Sequence, residues 1–112
     1  MIKTTHSPLQ ILLVEDDSHI RITLLTMLSE QGYLVTAVGS AEAAFQVARD
    51  SHLDMVLLDL GLPDMDGEQL IPMLKNVNPA AIIVTSARDK EVQKVRALDA
   101  GADDYLTKPF GV

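Results

Sequence analysis

The chain has 112 residues, which is enough for one domain with a single hydrophobic core. It carries 16 acidic and 9 basic side chains, a formal net charge of −7, and no cysteine. Because nucleic-acid binding rests mainly on Lys and Arg, this balance argues against direct DNA contact by these residues. The lack of thiols excludes a disulfide framework and thiolate metal sites, and it suits a reducing cytosol.

The start of the chain offers no membrane signal. Residues 1–7 are mostly polar, and the next apolar stretch, 11–14, is too short for a signal peptide core or a membrane span. We therefore expect a cytoplasmic protein that makes no membrane contact.

Apolar runs alternate with helical patterns along the first half of the chain. The predicted elements are a strand over Leu9–Val14, a helix capped by Asp17 or Ser18 and stopped by Gly32, a strand over Leu34–Val38, a helix capped by Ser40, and a strand over Met55–Asp59. The inward faces of the helices are predicted to carry Ile20, Leu24, Met27 and Leu28 in the first, and Ala44, Val47 and Ala48 in the second. The third strand is apolar before its acid, which is typical of a central parallel strand.

The second half continues the alternation after a loop that contains Gly61, Pro63, Asp64 and Gly67. The remaining predicted elements are a helix with Leu70, Leu74 and Val77, a strand over Ala81–Thr85, a helix from about Asp89 to Gly101 with Val92, Val95 and Leu98 at helical spacing, and a strand over Asp104–Thr107. Pro72 predicts a late start or a kink in the third helix. The repetition predicts an α/β fold, a doubly wound parallel sheet of five strands.

A fifth helix should follow the last strand and cover part of one sheet face, but the pattern stops at Val112. A bare face would expose a large apolar patch. We therefore expect either an excised fragment or a domain that a neighbouring molecule completes.

Polar side chains follow four of the apolar runs: Glu15-Asp16, Asp59, Ser86 and Lys108. In an open parallel sheet, residues just past the carboxyl ends of the strands gather at one edge, which is where such sheets bind ligands. Acids, a hydroxyl and an ammonium group at that edge indicate phosphoryl chemistry.

Asp59 is the candidate nucleophile, because an ionised carboxylate needs no general base to attack phosphorus. Two carboxylates about 4 Å apart repel by roughly 4 kcal/mol at an effective dielectric near 20. Glu15 and Asp16 would therefore be unfavourable beside Asp59 without a cation. Oxygen ligands favour Mg²⁺ or Mn²⁺, and the loop at Gly61 lets a backbone carbonyl turn toward the metal.

Each of these residues also has a purely structural interpretation. Asp59 could close a loop after a buried strand, Ser86 could cap a turn, and Lys108 could be a solvated charge. Acids at a helix start are favoured by the dipole, so we assign capping to Asp17 and metal binding first to Asp16 and then to Glu15.

The order and spacing of four segments are more specific than any single residue. The segments are LLVEDD at 12–17, LLDLGLPDMDG at 57–67, VTSA at 84–87 and GADDYLTKPF at 101–110. Together they closely resemble the receiver domain of two-component response regulators, over about Leu9 to Phe110. The resemblance implies the flavodoxin-like strand order 2-1-3-4-5, and a receiver domain over residues 1–112 that is truncated before its last helix.

The resemblance also implies roles for individual residues. Asp59 would be the phospho-acceptor and would hold Mg²⁺ with Glu15, Asp16 and the carbonyl of Gly61; Ser86, the N–H of Ala87 and Lys108 would bind the phosphoryl group; Tyr105 would be the switch aromatic, whose ring moves inward. The Lys108–Pro109 bond would be cis. Arg88 and Gly61 would flank the site and set the lifetime of the acyl phosphate.

GADDY, with Lys94, Asp103 and Asp104, further resembles the OmpR/PhoB-like class, including its KdpE-like members. That class pairs through the fourth helix and fifth strand and carries a winged-helix DNA-binding domain after the receiver. The resemblance implies a sensor histidine kinase as partner, a homodimer through that face, and a transcriptional output outside this chain. It implies no enzyme beyond self-phosphorylation and slow self-dephosphorylation.

Two other functions stay open. A pseudo-receiver would use the same fold as an interaction module without phosphorylation, and its Mg²⁺ affinity would distinguish it. A flavin carrier or an aspartyl-phosphate hydrolase is disfavoured, because aromatics total 4% and Gly61 stands where the hydrolase pattern has its second Asp.

Overall fold

The computed structural model describes residues 8–87 and 91–108. Strands and helices alternate within these ranges. The strands are β1 (Gln10–Val14), β2 (Leu34–Val38), β3 (Met55–Asp59), β4 (Ala81–Ser86) and β5 (Asp104–Thr107), and the helices are α1 (Ser18–Glu30), α2 (Ala41–Asp50), α3 (Gly67–Val77) and α4 (Glu91–Ala100). The predicted alternation is confirmed, and the predicted start of α4 at Asp89 lies outside the described residues.

The five strands form one parallel sheet in the order β2-β1-β3-β4-β5. This confirms the predicted doubly wound sheet and its strand order. Asp59 pairs in register with Thr85, and Ser86 pairs with Thr107. The carboxyl ends of β3, β4 and β5 therefore finish nearly level with one another.

The main hydrophobic core lies between one face of the sheet and the helices α2, α3 and α4. It takes alternate strand positions, such as Leu12 and Val14 of β1, as the period of two in a strand requires. Ile11 and Leu13 are buried outside this cluster and point to the opposite face. Helix α1 lies against β1 and β2 and contains no fully buried residue.

The inward face of α1 is narrower than predicted. Ile20, Leu24 and Leu28 are half-buried, but Met27 is 47% exposed, so its predicted inward position is wrong. At 3.6 residues per turn, Met27 lies about 60° from the middle of the stripe formed by the other three. It therefore falls on the edge of the stripe, where solvent reaches it.

The ends of α1 and α2 follow their predicted signals. Asp17 Oδ1 accepts hydrogen bonds from the backbone N–H groups of His19 and Ile20, which decides the choice between Asp17 and Ser18 as the cap. The chain leaves α1 through Gly32, whose φ of +93° favours glycine. Ser40 caps α2 by accepting from Ala43 N at 3.2 Å.

Helix α3 begins at Gly67, so the predicted late start is wrong, as is the placement of Gly67 in the loop. Asp66 Oδ1 accepts from Glu68 N at 2.9 Å and thereby caps the helix at once. The helix continues through Pro72 to Val77. The alternative expectation, a kink at Pro72, stays a prediction.

None of the helices within the described ranges combines the length and the apolar character needed to cross a bilayer.

Candidate functional site

Four of the polar residues singled out in the sequence lie at the same edge of the sheet. Glu15 follows β1, Asp59 ends β3, Ser86 ends β4 and Lys108 follows β5. These four strands are neighbours in the sheet, so their carboxyl ends form a continuous edge. The structure therefore places these four residues along one edge of the sheet, where they define the candidate pocket.

Three acids crowd one side of this pocket. Glu15, Asp16 and Asp59 each offer a carboxylate oxygen, and these oxygens all lie within 4.8 Å of one another. Glu15 is 2% exposed and Asp59 is 8% exposed, whereas Asp16 is open to solvent. Hard oxygen donors with one side open to water fit Mg²⁺, which usually keeps several water ligands. The chemistry of this donor set is thus suited to a divalent cation.

Lys108 balances part of the negative charge. Its Nζ lies 2.5 Å from Glu15 Oε1 and 3.4 Å from Asp59 Oδ1. The lysine side chain is 16% exposed. A largely buried ammonium group therefore bridges the carboxylates that follow β1 and end β3.

The charges of the pocket shift one another's protonation. Burial raises the pKa of Glu15, and the negative charge of Asp59 adds to this rise, although the hydrogen bond from Lys108 opposes it. Burial alone would lower the pKa of Lys108, but the hydrogen bond to Glu15 and the charges of Asp59 and Glu15 raise it above its ordinary value. Lys108 is therefore a permanent cation at neutral pH.

Arg21 of α1 binds the backbone of the acidic pair, Glu15 and Asp16. Its Nη1 donates to the carbonyl oxygens of Glu15 at 2.8 Å and Asp16 at 3.3 Å. Gly39 leaves room for this guanidinium, since a Cβ at Gly39 would lie 3.0 Å from Nη1. Arg21 is not among the site residues predicted from the sequence; the one signal for it is a long cationic side chain in the first turn of the helix after the acids.

The segment over residues 60–67, called the 60–67 loop below, runs from Asp59 to the first residue of α3 and closes tightly on itself. Leu60 O accepts hydrogen bonds from Leu62 N at 3.0 Å and from Gly67 N at 2.8 Å. Gly61 pairs with Asp66 in an antiparallel bridge. Gly61 also borders the pocket, because a Cβ built on it would lie 3.8 Å from Asp59 Oδ2.

Two residues of this 60–67 loop have contacts that the sequence did not reveal. Gly67 lies against the main chain, where a Cβ would be 2.7 Å from Leu60 Cα and 2.8 Å from Asp59 O. Asp64 reaches away from its own loop to bind the start of α2. The only signal for either was their position among turn-forming residues.

The other side of the pocket is built from the ends of β4 and β5. Ser86 is buried, and its carbonyl accepts from Lys108 N at 2.6 Å, which joins the two strand ends. Ala87 is exposed, whereas Tyr105 is buried within the main core. Arg88 and the Lys108–Pro109 bond, for which roles were predicted, lie outside the described residues.

The predicted pairing face is exposed, but its two aspartates are already hydrogen-bonded within the chain. Lys94 and Asp104 are exposed, as are Val92, Val95 and Leu98 on α4. Asp104 Oδ1 accepts from Tyr105 N at 2.7 Å, and Asp103 Oδ2 accepts from Lys75 Nζ and from Ile82 N, both at 2.7 Å.

Comparison with known proteins identifies the class. The model of the response regulator receiver domain family matches residues 11–112. The chain therefore belongs to the receiver domains of two-component response regulators.

Individual relatives agree with this assignment. The chain is 44% identical over 102 residues to the KDP operon transcriptional regulatory protein KdpE of Escherichia coli K12, covering 91% of this chain and 45% of that protein. It thus spans about half the length of the curated relatives it matches, which are transcriptional regulators of the OmpR/PhoB class.

Solved structures of receiver domains and response regulators share the fold of this chain. A CheY-like receiver domain protein from Methanospirillum hungatei JF-1 superimposes with a TM-score of 0.89 and 29% identity, covering 94% of this chain and 85% of that one. A response regulator from Burkholderia pseudomallei with a phosphorylated aspartic acid, calcium ion and citrate gives 0.88 at 30% identity, covering 93% and 62%.

Proposed function

We propose that this chain is a phosphorylation-driven switch in which Asp59 accepts a phosphoryl group from a phosphohistidine of a sensor histidine kinase. The observation that carries the proposal is the position of Lys108 Nζ between the carboxylates of Glu15 and Asp59. A permanent cation beside a nearly buried acceptor is the arrangement that phosphoryl transfer needs, because this reaction depends mostly on positioning and charge.

The transfer step exchanges one bond to phosphorus for another. A carboxylate oxygen of Asp59 attacks the phosphorus in line, the P–N bond to the kinase imidazole breaks, and that nitrogen keeps the electron pair. Lys108 neutralises charge on the equatorial oxygens, and the Ser86 hydroxyl and Ala87 N–H donate to them. The product is an acyl phosphate on Asp59.

The proposed cofactor is Mg²⁺, with Mn²⁺ as a substitute. Glu15, Asp16 and Asp59 would hold it through carboxylate oxygens, and Gly61 would hold it through its backbone carbonyl. When bound, the ion supplies positive charge opposite the transferring phosphoryl oxygens. Beyond this self-phosphorylation and slow self-dephosphorylation, we propose no turnover of a separate substrate.

The acyl phosphate changes the local electrostatics and so biases two states of the same fold. A phosphoryl group adds close to two negative charges. Ser86 and Ala87 would be drawn toward it, which shifts the β4–α4 connection and favours the inward position of Tyr105. Because the related regulators are about twice as long, we propose a transcriptional output domain that receives this signal in the cytoplasm.

We further propose that the exposed face of α4 and β5 pairs two copies of the chain. Lys94 and Asp104 supply exposed charges there, and Val92, Val95 and Leu106 supply exposed apolar surface. Asp103 also belongs to the proposed pairing face, although its carboxylate is already bound to Lys75 of the same chain.

Treatment with acetyl phosphate or beryllofluoride and Mg²⁺ tests the proposal. After acetyl phosphate, mass spectrometry should find one added phosphoryl group at Asp59; beryllofluoride should bind at the same carboxylate without transferring phosphorus, and Asp59→Asn should abolish both. Asp54→Asn is a matched control, because Asp54 lies before β3 and its carboxylate is occupied by Gln10 N. Modification that persists in Asp59→Asn, or a wild-type chain that neither binds Mg²⁺ nor reacts, would refute the switch and favour an interaction-only module.

A further inference from the structure

Asp64 lies in the 60–67 loop, yet its carboxylate binds the N-terminus of a different helix. Oδ1 accepts from Ala41 N at 2.8 Å and Oδ2 accepts from Glu42 N at 3.0 Å, across 23 and 22 positions of sequence. The first N–H groups of a helix have no partner inside the helix. Asp64 therefore supplies, from a distant part of the chain, the acceptor oxygens that a residue next to the helix start ordinarily supplies.

Helix α2 already has a local cap of its own. Ser40 Oγ accepts from Ala43 N, which is the usual arrangement for a serine at this position. Helix α2 therefore has a start signal that does not depend on a distant carboxylate. We therefore expect the contact between Asp64 and α2 to have its larger effect on the 60–67 loop, which carries Asp64.

That loop carries one wall of the acceptor pocket. Its two ends are joined by Gly67 N donating to Leu60 O and by the bridge between Gly61 and Asp66. Leu62 and Met65 pack against the core, and the bond from Asp64 adds a directional polar anchor near the middle of the loop. Any tilt of this closed loop moves Gly61 relative to Asp59.

We propose that Asp64 is a positioning residue that fastens the 60–67 loop to the N-terminus of α2, and so couples this helix end to the metal pocket at Asp59. The hydrogen bonds from Ala41 N and then Glu42 N hold the pKa of Asp64 below its usual value, so the anchor is ionised at neutral pH. The positive end of the helix dipole attracts the same carboxylate. This inference rests on the proposed function, because it assigns a role toward the Mg²⁺ site.

Coupling between two sites is reciprocal, which gives two independent measurements. Mg²⁺ should slow hydrogen exchange at the Ala41 and Glu42 amides, and loss of the Asp64 anchor should weaken Mg²⁺ binding. Both are measured on the 112-residue chain, by NMR hydrogen exchange and by Mg²⁺ titration. The variants are Asp64→Ala, Asp64→Asn and the control Ser40→Ala, which removes a cap from the same helix without touching the loop.

We expect Asp64→Ala to raise the Kd for Mg²⁺ about fivefold or more and to abolish the Mg²⁺ effect on Ala41 and Glu42. Asp64→Asn keeps an acceptor oxygen and should lie between Asp64→Ala and wild type. Ser40→Ala should speed exchange at the start of α2 but change the Kd by no more than about twofold. The proposal is overturned if Asp64→Ala leaves the Kd for Mg²⁺ unchanged, or if Ser40→Ala weakens Mg²⁺ binding as much as Asp64→Ala does.

A metal-free measurement separates this inference from the proposed function. If the wild-type chain binds no Mg²⁺, the proposed function fails, but hydrogen exchange at the amides of Gly61, Leu62 and residues 64–66 still tests the anchor. Faster exchange there in Asp64→Ala than in Ser40→Ala supports anchoring of the loop, and equal exchange rejects it. Should Asp64→Ala fail to fold, Asp64→Asn carries the same comparison.

Discussion

Lys108 Nζ lies 2.5 Å from Glu15 Oε1, although 93 positions of sequence separate the two residues. The carboxylate is nearly inaccessible to water, so this ammonium group is its main compensating charge. The same ammonium group lies 3.4 Å from Asp59 Oδ1. One lysine thus serves both the stability of the fold and the chemistry that we propose for Asp59.

Replacing Lys108 should therefore destabilise the protein as well as inactivate it. Within the described part of the chain, Lys108→Ala leaves the buried Glu15 carboxylate without a compensating charge, with only the hydrogen bond from Asp17 N, which should lower the free energy of unfolding by about 3 kcal/mol at pH 7. Denaturant unfolding measures this loss. Adding Glu15→Gln removes the stranded charge and should restore most of the stability, but not phosphorylation. A Lys108→Ala protein as stable as wild type would contradict this account of the pair.

Gly67→Ala is expected to strain the acceptor side of the pocket. The new Cβ would meet backbone atoms, at 2.7 Å from Leu60 Cα and 2.8 Å from Asp59 O, and backbone cannot move aside cheaply. We expect a loss of about 2 kcal/mol in unfolding free energy and slower phosphorylation by acetyl phosphate. Gly61→Ala is the stability control, since its Cβ would make only an ordinary 3.8 Å contact with Asp59. Equal stability of the two variants would rule out this steric explanation.

Asp103 should make stability depend on acid pH. The hydrogen bond from Lys75, and then that from Ile82 N, lower its pKa below the ordinary value of 3.8. The unfolded chain therefore binds more protons at this site, so the contribution of Asp103 is present above about pH 4 and is lost as the pH falls through its folded-state pKa. Unfolding curves between pH 6 and 2 should converge for wild type and Asp103→Asn at the acid end. If the difference in unfolding free energy between wild type and Asp103→Asn stays constant from pH 6 to 2, titration of Asp103 is excluded as its cause.

Arg21 should be needed for the shape of the acidic pair. Arg21→Ala removes the donor to the carbonyls of Glu15 and Asp16, with an expected loss of about 1 to 2 kcal/mol in unfolding free energy and weaker Mg²⁺ binding. Gly39→Ala should have a smaller effect in the same direction by crowding Nη1. Arg49→Ala is the control, because among the described residues Arg49 pairs only with its exposed neighbour Asp50, in an ion pair of little expected energy. Mg²⁺ affinity unchanged in Arg21→Ala would remove Arg21 from the site.

The sequence predicts the sheet and the composition of the pocket because both depend on local patterns. Short apolar runs bounded by breakers locate the strands, and parallel pairing then brings their carboxyl ends together whatever the details of packing. Glu15, Asp59 and Lys108 could be grouped on that basis alone. The distances among them, and the nearly complete burial of Glu15, follow from the fold and not from any local signal.

The features that the sequence did not predict depend on packing and on contacts beyond the immediate neighbours in sequence. Asp64 looks like a turn residue, because nothing near it in sequence shows that its partner is the start of α2. Gly67 looks like part of the loop, because the close approach of Leu60 that requires a glycine is a tertiary contact. Met27 has the spacing of an inward residue, but the width of the buried stripe on α1 is set by what packs against it.

The joining of Lys108 N to Ser86 O at the ends of β5 and β4 has a consequence for biosynthesis. Glu15 leaves the ribosome 93 positions before Lys108, and the acidic corner stays uncompensated until β5 docks. Until β5 docks, a growing polypeptide has no ammonium group beside Glu15 and Asp59, so the acceptor site that we propose is still incomplete.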